Sequence, residues 1–222
     1  MNIEILTLFP KLFQNFLQES VVGNAIKQKA ISINLTDIRN FAHDKYRSVD
    51  NYPYGGGAGM VMKPEPLYEA IQHVKKDRDI PVIYFTPQGK LLTQKIVNKY
   101  SKIKDMILLC GHYKEIDQRI RDLLVTEELS IGDYVLSGGE IPAMVMIDAI
   151  ARLQEGVLGD MDSALTDSHQ NGILGCPHYT RPAEFKGKKV PDVLLSGNHK
   201  KIEEWRKQKA LEITKKNRPE LL

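Results

Sequence analysis

Short, nearly uninterrupted apolar runs alternate with segments of helical periodicity through most of the chain, and this alternation limits the fold most strongly. The apolar runs predict strands at residues 2–9, 81–86, 106–110 and 128–131, and Ile31, Ile33 and Leu35 alternate as a further strand. Helical spacing predicts helices at residues 12–29, 65–76, 93–101, 116–124 and 140–155. Strands separated by helices favour an α/β domain with a mostly parallel sheet.

The C-terminal part of the chain has a different composition. Residues 156–175 have little apolar periodicity, and a terminal helix is predicted at residues 199–216. Residues 181–222 carry 12 Lys and Arg against 6 Asp and Glu, although the whole chain has a net charge of only +3. We therefore predict a body at 1–158, a linker at 159–175 and a small basic domain at 176–222. This charge favours a nucleic-acid partner, and the alternative is a solvated helix face with internal ion pairs.

Cysteine content and the first residues restrict the class of protein. Two cysteines are too few for a disulfide framework, and Cys110 ends the apolar run MILLC as a predicted buried residue. Cys176 lies near His169 and His178, but no second pair has zinc-like spacing, so no metal site is predicted. The start MNIEILTLFPK lacks a basic segment, and no apolar stretch reaches the roughly 20 residues of a membrane span. We expect a cytoplasmic protein.

Three glycine-bearing loops follow predicted strands: TPQG at 86–89, CGHY at 110–113 and GDYVLSGG at 132–139. Ligands of parallel α/β sheets bind beyond the carboxyl ends of the strands, so these loops predict one composite pocket. Tyr84, Pro87, Ile131 and Leu136 would form its apolar walls. Neither a Walker A motif nor GxGxxG is present, which disfavours P-loop hydrolases and ordinary dinucleotide dehydrogenases. From these residues alone, tight β-to-α connections without a ligand are equally compatible.

Longer motifs resemble one family. These are LTLFP, VDNYPYGGGAGM, TPQG, CGHY, SIGDYVLSGGEIPA, GVLG, CPHYTRP, VPDVLLSGNH and RPELL, in this order along the chain. Together they resemble the bacterial tRNA (guanine-N1)-methyltransferases of the trefoil-knot (SPOUT) class. The resemblance implies a deep knot in the sheet domain, a small, mainly helical C-terminal domain and a homodimer. It also implies methylation by S-adenosylmethionine (AdoMet) of the tRNA guanine at position 37, immediately 3′ of the anticodon.

The same resemblance assigns roles to particular residues. Asp167 matches the proposed general base, and Arg152 matches the residue that stabilises negative charge on guanine O6, although either alone would be read as a surface residue. The implied AdoMet pocket comprises Pro87, Gly111, Ile131, Gly132, Asp133, Tyr134, Val135 and Leu136. Candidates for contacts to tRNA phosphates are Arg181, Lys188, Lys189, Lys200 and Lys201.

The chain departs from the family pattern beside the CGHY loop. Lys114 stands where an acid is usual, and Glu115 stands where glycine is usual. This exchange rearranges the charge of the pocket and puts cofactor affinity and any Mg²⁺ requirement in question. Two alternative functions therefore stay open: a tRNA-binding protein of the same fold with little catalysis, and a SPOUT methyltransferase that acts on another RNA base.

Overall fold

The computed structural model describes residues 1–159 and 166–222. The chain divides into two compact units, Met1–Gly159 and Asp160–Leu222. The predicted linker at 159–175 thus falls almost wholly within the second unit. Its residues 160–165, among them Asp160 and Asp162, which compete with Asp167 as linker acids, lie outside the described residues.

A five-stranded parallel sheet forms the centre of the first unit. Its strands are β1 (Asn2–Thr7), β2 (Ser32–Asp37), β5 (Val82–Leu91), β6 (Asp105–Leu109) and β8 (Glu127–Ser130), in the order β2-β1-β6-β5-β8. A smaller sheet joins β3 (Asp50–Asn51), β4 (Val61–Met62) and β7 (Glu115–Ile116). The α/β class with a mostly parallel sheet is confirmed.

Helices cover both faces of the large sheet. They are α1 (Ser20–Lys27), α2 (Pro64–Lys75), α3 (Gln94–Tyr100), α4 (Gln118–Leu124) and α5 (Glu140–Ala151). Because side chains alternate along a strand, Met106 and Leu108 pack into the core with α1, α3 and α5, while Ile107 and Leu109 pack into the core with α2 and α4. This double burial explains why the strands read as continuous apolar runs.

Two predicted elements of the first unit are wrong. The single helix predicted at 12–29 is a 3₁₀ turn, Pro10–Phe13, followed by turns and then α1. The chain folds back so tightly that a Cβ on Gly23 would lie 2.4 Å from the Gln18 carbonyl oxygen, and this bend lets the turn bury Phe13 while α1 buries Val22. The predicted loop between residues 39 and 63 contains β3 and β4, because two-residue strands leave no periodic signal.

The second unit is built on one long helix. A hairpin of β9 (Glu184–Phe185) and β10 (Lys188–Lys189) and the short helix α6 (Asp192–Leu195) precede α7 (His199–Asn217). The Asn198 side chain caps α7 by accepting a hydrogen bond from the Lys201 N–H at 3.2 Å. The Leu174 N–H donates to the buried Thr214 hydroxyl at 3.0 Å, which ties the preceding segment to the helix. Within residues 1–159 and 166–222, no helix has both the length and the apolar character of a membrane span.

Candidate functional site

The TPQG loop is a bulge in the pairing of β5 with β8. Leu129 of β8 faces both Phe85 and Lys90 of β5, so the four residues between them leave the ladder. Pro87 cannot donate a backbone hydrogen bond and is therefore suited to this position. Gly89 is required by close packing, because a Cβ there would lie 2.5 Å from the Glu128 carbonyl carbon. Pro87 is exposed and lies within β5, so the loop predicted to follow this strand is instead a bulge inside it.

The other two loops are hydrogen-bonded to one another. The Gly139 N–H donates to the Gly111 carbonyl at 2.9 Å, and His112 forms a bridge with Gly138. A Cβ on Gly111 would lie 2.8 Å from the Tyr84 ring, so this loop also packs closely against β5. The three glycine-bearing loops thus meet at the bulge of β5 and beyond the ends of β6 and β8.

Together these loops line a single opening, which we call the three-loop cleft. Its lining consists of residues 84–87, 111–115, 129–132 and 134–139 together with Pro142. Seven of the eight residues expected to bind the cofactor lie on it: Pro87, Gly111, Ile131, Gly132, Tyr134, Val135 and Leu136. The eighth, Asp133, lies in the same loop but is not a lining residue. Whether these residues bind a cofactor stays a prediction.

A buried carboxylate directly follows the last of the three loops. Glu140 begins α5, directly after Gly139, and is 4% exposed; it accepts a hydrogen bond from the buried Thr7 hydroxyl at 2.8 Å. An acid in the first turn of a helix also interacts favourably with the free N–H groups there. Burial, and then the charge of Glu140, raise the pKa of Cys110 well above its usual value. Cys110 is therefore a packed apolar residue, as predicted, and remains a thiol.

Sequence reasoning missed an ionic cluster beside the cleft. Arg121 of α4 is 7% exposed and donates to both carboxylate oxygens of Glu128, at 2.8 and 2.7 Å. The hydrogen bond with Glu128 raises the pKa of Arg121 further. Arg121 precedes Leu124 by three residues and so shares its helical face. This spacing could have predicted the ionic cluster, because an arginine on the inward face of a helix needs buried partners for its charge.

Both residues assigned to catalysis lie outside the lining of the three-loop cleft. Arg152 directly follows α5 in the first unit and is partly exposed. Asp167 is exposed and belongs to the second unit. Their catalytic roles therefore stay predictions. The basic residues expected to contact phosphate are all exposed on the second unit: Arg181, Lys188, Lys189, Lys200 and Lys201.

The described residues contain no group of three or more His, Cys, Asp or Glu side chains placed to hold a metal ion. Cys176, which the sequence places near His169 and His178, is a partly exposed free thiol.

Comparison with known proteins identifies the family. The family model described as "tRNA (Guanine-1)-methyltransferase TrmD" matches residues 1–222. The chain belongs to this family. It is 50% identical over 224 residues to the tRNA (guanine-N(1)-)-methyltransferase of Clostridioides difficile (strain 630), covering 100% of this chain and 97% of that protein. It is 52% identical over 224 residues to the enzyme of the same name from Anoxybacillus flavithermus, covering 100% of this chain and 91% of that protein.

A third relative extends this agreement. The tRNA (guanine-N(1)-)-methyltransferase of Listeria monocytogenes is 48% identical over 225 residues, covering 100% of this chain and 92% of that protein. The family resemblance of the sequence motifs is thus confirmed, and the chain is an enzyme of the methyltransferase class. The three-loop cleft is an opening at which three of the family motifs, TPQG, CGHY and SIGDYVLSGGEIPA, meet.

Proposed function

We propose that this enzyme transfers the methyl group of AdoMet to N1 of guanine 37 in tRNA, the base next to the anticodon. One observation carries the proposal: the three glycine-bearing loops line a single cleft, in a chain that matches the family along its whole length. The proposal includes a trefoil knot formed by these loops and a cytoplasmic homodimer in which the linker of one chain completes the pocket of the other.

The residues of the three-loop cleft fit AdoMet. Phe85, Pro87 and Leu136 offer apolar surface to the adenosine group, and the backbone between Ile131 and Leu136 offers polar groups to the edge of the base. Gly111 and Gly139 allow the loops around the cleft to pack closely, because a Cβ would lie 2.8 Å from the Tyr84 ring at Gly111 and 2.7 Å from the Cys110 Cα at Gly139. When bound, AdoMet supplies a methyl group activated by attachment to a sulfonium.

Asp167 and Arg152 carry the remaining chemistry in this proposal. Guanine N1 holds a proton at neutral pH, and this proton must leave as N1 gains the methyl group. The Asp167 carboxylate accepts it, a contribution of about 10²–10⁴-fold for a positioned general base. Negative charge then spreads onto O6, where the Arg152 guanidinium stabilises it. Because Asp167 lies in the segment between body and basic domain, binding of the correct tRNA can order the base.

The substrate side is supported by exposed cations and aromatic rings. The second unit presents Lys188, Lys189, Lys200 and Lys201 to solvent, and such side chains hold phosphates. Tyr54 lies in the glycine-rich loop of the first unit, which is the motif VDNYPYGGGAGM at residues 49–60, and is fully exposed (102%). Exposed rings of this kind stack on the splayed bases of single-stranded RNA loops.

The test is methyl incorporation into tRNA transcripts that carry guanine or adenine at position 37. We expect labelling of the guanine transcript only, and equal labelling of both would contradict the substrate assignment. Asp167→Asn should abolish turnover while AdoMet binding persists. The matched control is Asp192→Asn, the same change at an exposed position of the second unit, which should retain activity. Wild-type protein that binds tRNA without methylating it would favour the alternative of a tRNA-binding protein, which Lys114 motivates.

A further inference from the structure

The ionic cluster beside the three-loop cleft connects four secondary structure elements. Arg121 of α4 lies between Glu128 of β8 and Glu115 of β7, with its Nη1 atom 3.5 Å from Glu115 Oε2. Its Nη2 atom also donates to the side-chain carbonyl of Gln88, in the bulge of β5, at 3.0 Å. Burying a guanidinium is costly unless its donors are satisfied, and here they are used on three partners. The cluster therefore holds Glu115 in a defined position.

Further hydrogen bonds fix the carboxylate of Glu115. The Tyr84 hydroxyl donates to Glu115 Oε1, and the Thr86 hydroxyl donates to Oε2 at 3.4 Å. Burial, and then the charge of Glu115, raise the pKa of Tyr84, so Tyr84 stays a neutral donor. The Glu115 side chain keeps 23% of its exposure and lines the cleft.

The charges of the cluster do not cancel. Glu115 and Glu128 contribute two negative charges and Arg121 one positive charge, which leaves the cluster with one net negative charge at neutral pH. Among the described residues that line the three-loop cleft, Glu115 is the single carboxylate. Lys114, the neighbouring cation, is exposed, and its aliphatic carbons lie beside Gly59 of the glycine-rich loop.

We propose that Glu115 is the residue that stabilises the positive sulfonium charge of the methyl donor, and that Tyr84 and Arg121 position it. This assignment rests on the proposed use of AdoMet. A cation in a partly dehydrated cleft is attracted by a fixed carboxylate, and the attraction survives because water screens it incompletely. The charge disappears from sulfur once the methyl group has left. Glu115 therefore strengthens binding of the donor over binding of the spent product, and contributes to affinity rather than to the transfer step.

The experiment compares AdoMet, which carries the sulfonium charge, with S-adenosylhomocysteine, which lacks the methyl group and that charge. AdoMet and S-adenosylhomocysteine are each titrated calorimetrically into wild-type protein and into Glu115→Gln, which keeps an acceptor for the Tyr84 hydroxyl. We expect AdoMet affinity to fall roughly five- to tenfold while S-adenosylhomocysteine affinity is unchanged. Glu115→Asp keeps the charge and should keep the wild-type preference.

The matched control is Glu127→Gln, the same change at an acid that does not line the three-loop cleft. Glu127 is 14% exposed and, like Glu115, accepts a hydrogen bond from a tyrosine hydroxyl, that of Tyr100. Glu127→Gln should leave the ratio of the AdoMet affinity to the S-adenosylhomocysteine affinity unchanged. If Glu115→Gln weakens both ligands equally, or neither, Glu115 is structural and the assignment is overturned. The same conclusion follows if Glu127→Gln or Glu115→Asp shifts the ratio as far as Glu115→Gln.

A measurement on the wild-type protein keeps the inference testable if Glu115→Gln does not fold. Sinefungin carries a protonated amine where AdoMet carries the sulfonium, so it should bind more tightly than S-adenosylhomocysteine. Equal affinities of these two ligands would overturn the role of a carboxylate. Wild-type protein that binds none of the three ligands would instead overturn the proposed function itself, and the assignment of Glu115 with it.

Discussion

Replacing Arg121 by methionine should destabilise the first unit strongly and in a pH-dependent manner. Methionine preserves the unbranched stem and much of the volume of the side chain but removes its charge and all of its donors. The two hydrogen bonds to Glu128, the bond to Gln88 and the ion pair with Glu115 are lost together. The carboxylates of Glu115 and Glu128 then lie near each other without the cation between them.

The expected loss is about 3 kcal/mol. Breaking a buried ion pair by removing one partner typically costs about 3–5 kcal/mol. Glu115 and Glu128 keep 23% and 28% of their side-chain exposure, so water replaces part of what the guanidinium supplied. This places the cost at the lower end of that range. Against a typical total stability of about 5–15 kcal/mol, such a loss is large.

The sign of the pH dependence follows from the carboxylates. Without Arg121, the two partly buried carboxylates repel each other in the folded protein, and protonation relieves this repulsion. A group with a raised pKa in the folded state favours folding at low pH and loses that contribution as pH rises through the folded value. The deficit of Arg121→Met should therefore be larger near about pH 8 than near about pH 5.

The assay is urea unfolding followed by far-UV circular dichroism at both pH values. Fluorescence is unsuitable because the single tryptophan, Trp205, belongs to the second unit. The matched control is Arg119→Met, two residues earlier on α4, where an exposed arginine pairs with Asp117 in solvent. It should change stability little, because exposed ion pairs contribute little. A loss below about 1 kcal/mol for Arg121→Met, or a deficit that is equal at both pH values, would refute the reasoning.

Three further predictions concern the hydrogen bond to Glu140, the two thiols and the packing of Gly139. Thr7→Val removes the hydrogen bond to buried Glu140 and should cost about 1–3 kcal/mol in urea unfolding, whereas Thr7→Ser should restore most of it. A thiol reagent should modify only Cys176 in the native protein, and Cys110 only after unfolding; rapid labelling of both would contradict the burial. Gly139→Ala places a Cβ 2.7 Å from the Cys110 Cα, so it should lower the unfolding temperature and weaken AdoMet binding. An unchanged unfolding temperature and an unchanged AdoMet affinity would show that the two loops can move apart without cost.

The family and the α/β class could be predicted from the sequence because their signals are local. Runs such as Met106–Leu109 are continuous in the chain, and doubly buried strands are apolar on both sides. The loop motifs are equally local, since glycine is needed wherever the backbones of two loops come as close as those of Gly111 and Gly139. The break in the predicted first helix was missed because the apolar spacing continues through the turn between Phe13 and Ser20.

The sequence by itself determined which family the chain belongs to, and it predicted that the three glycine-bearing loops line one cleft. Only the tertiary structure decided how charge is arranged around the cleft. The exchange at Lys114 and Glu115 reads in the sequence as a disrupted motif. In the fold, Tyr84 and Arg121 hold Glu115 as a cleft carboxylate, and Tyr84 comes from a strand 31 residues earlier in the chain. Electrostatic interaction depends on distance in space, which residue spacing does not encode.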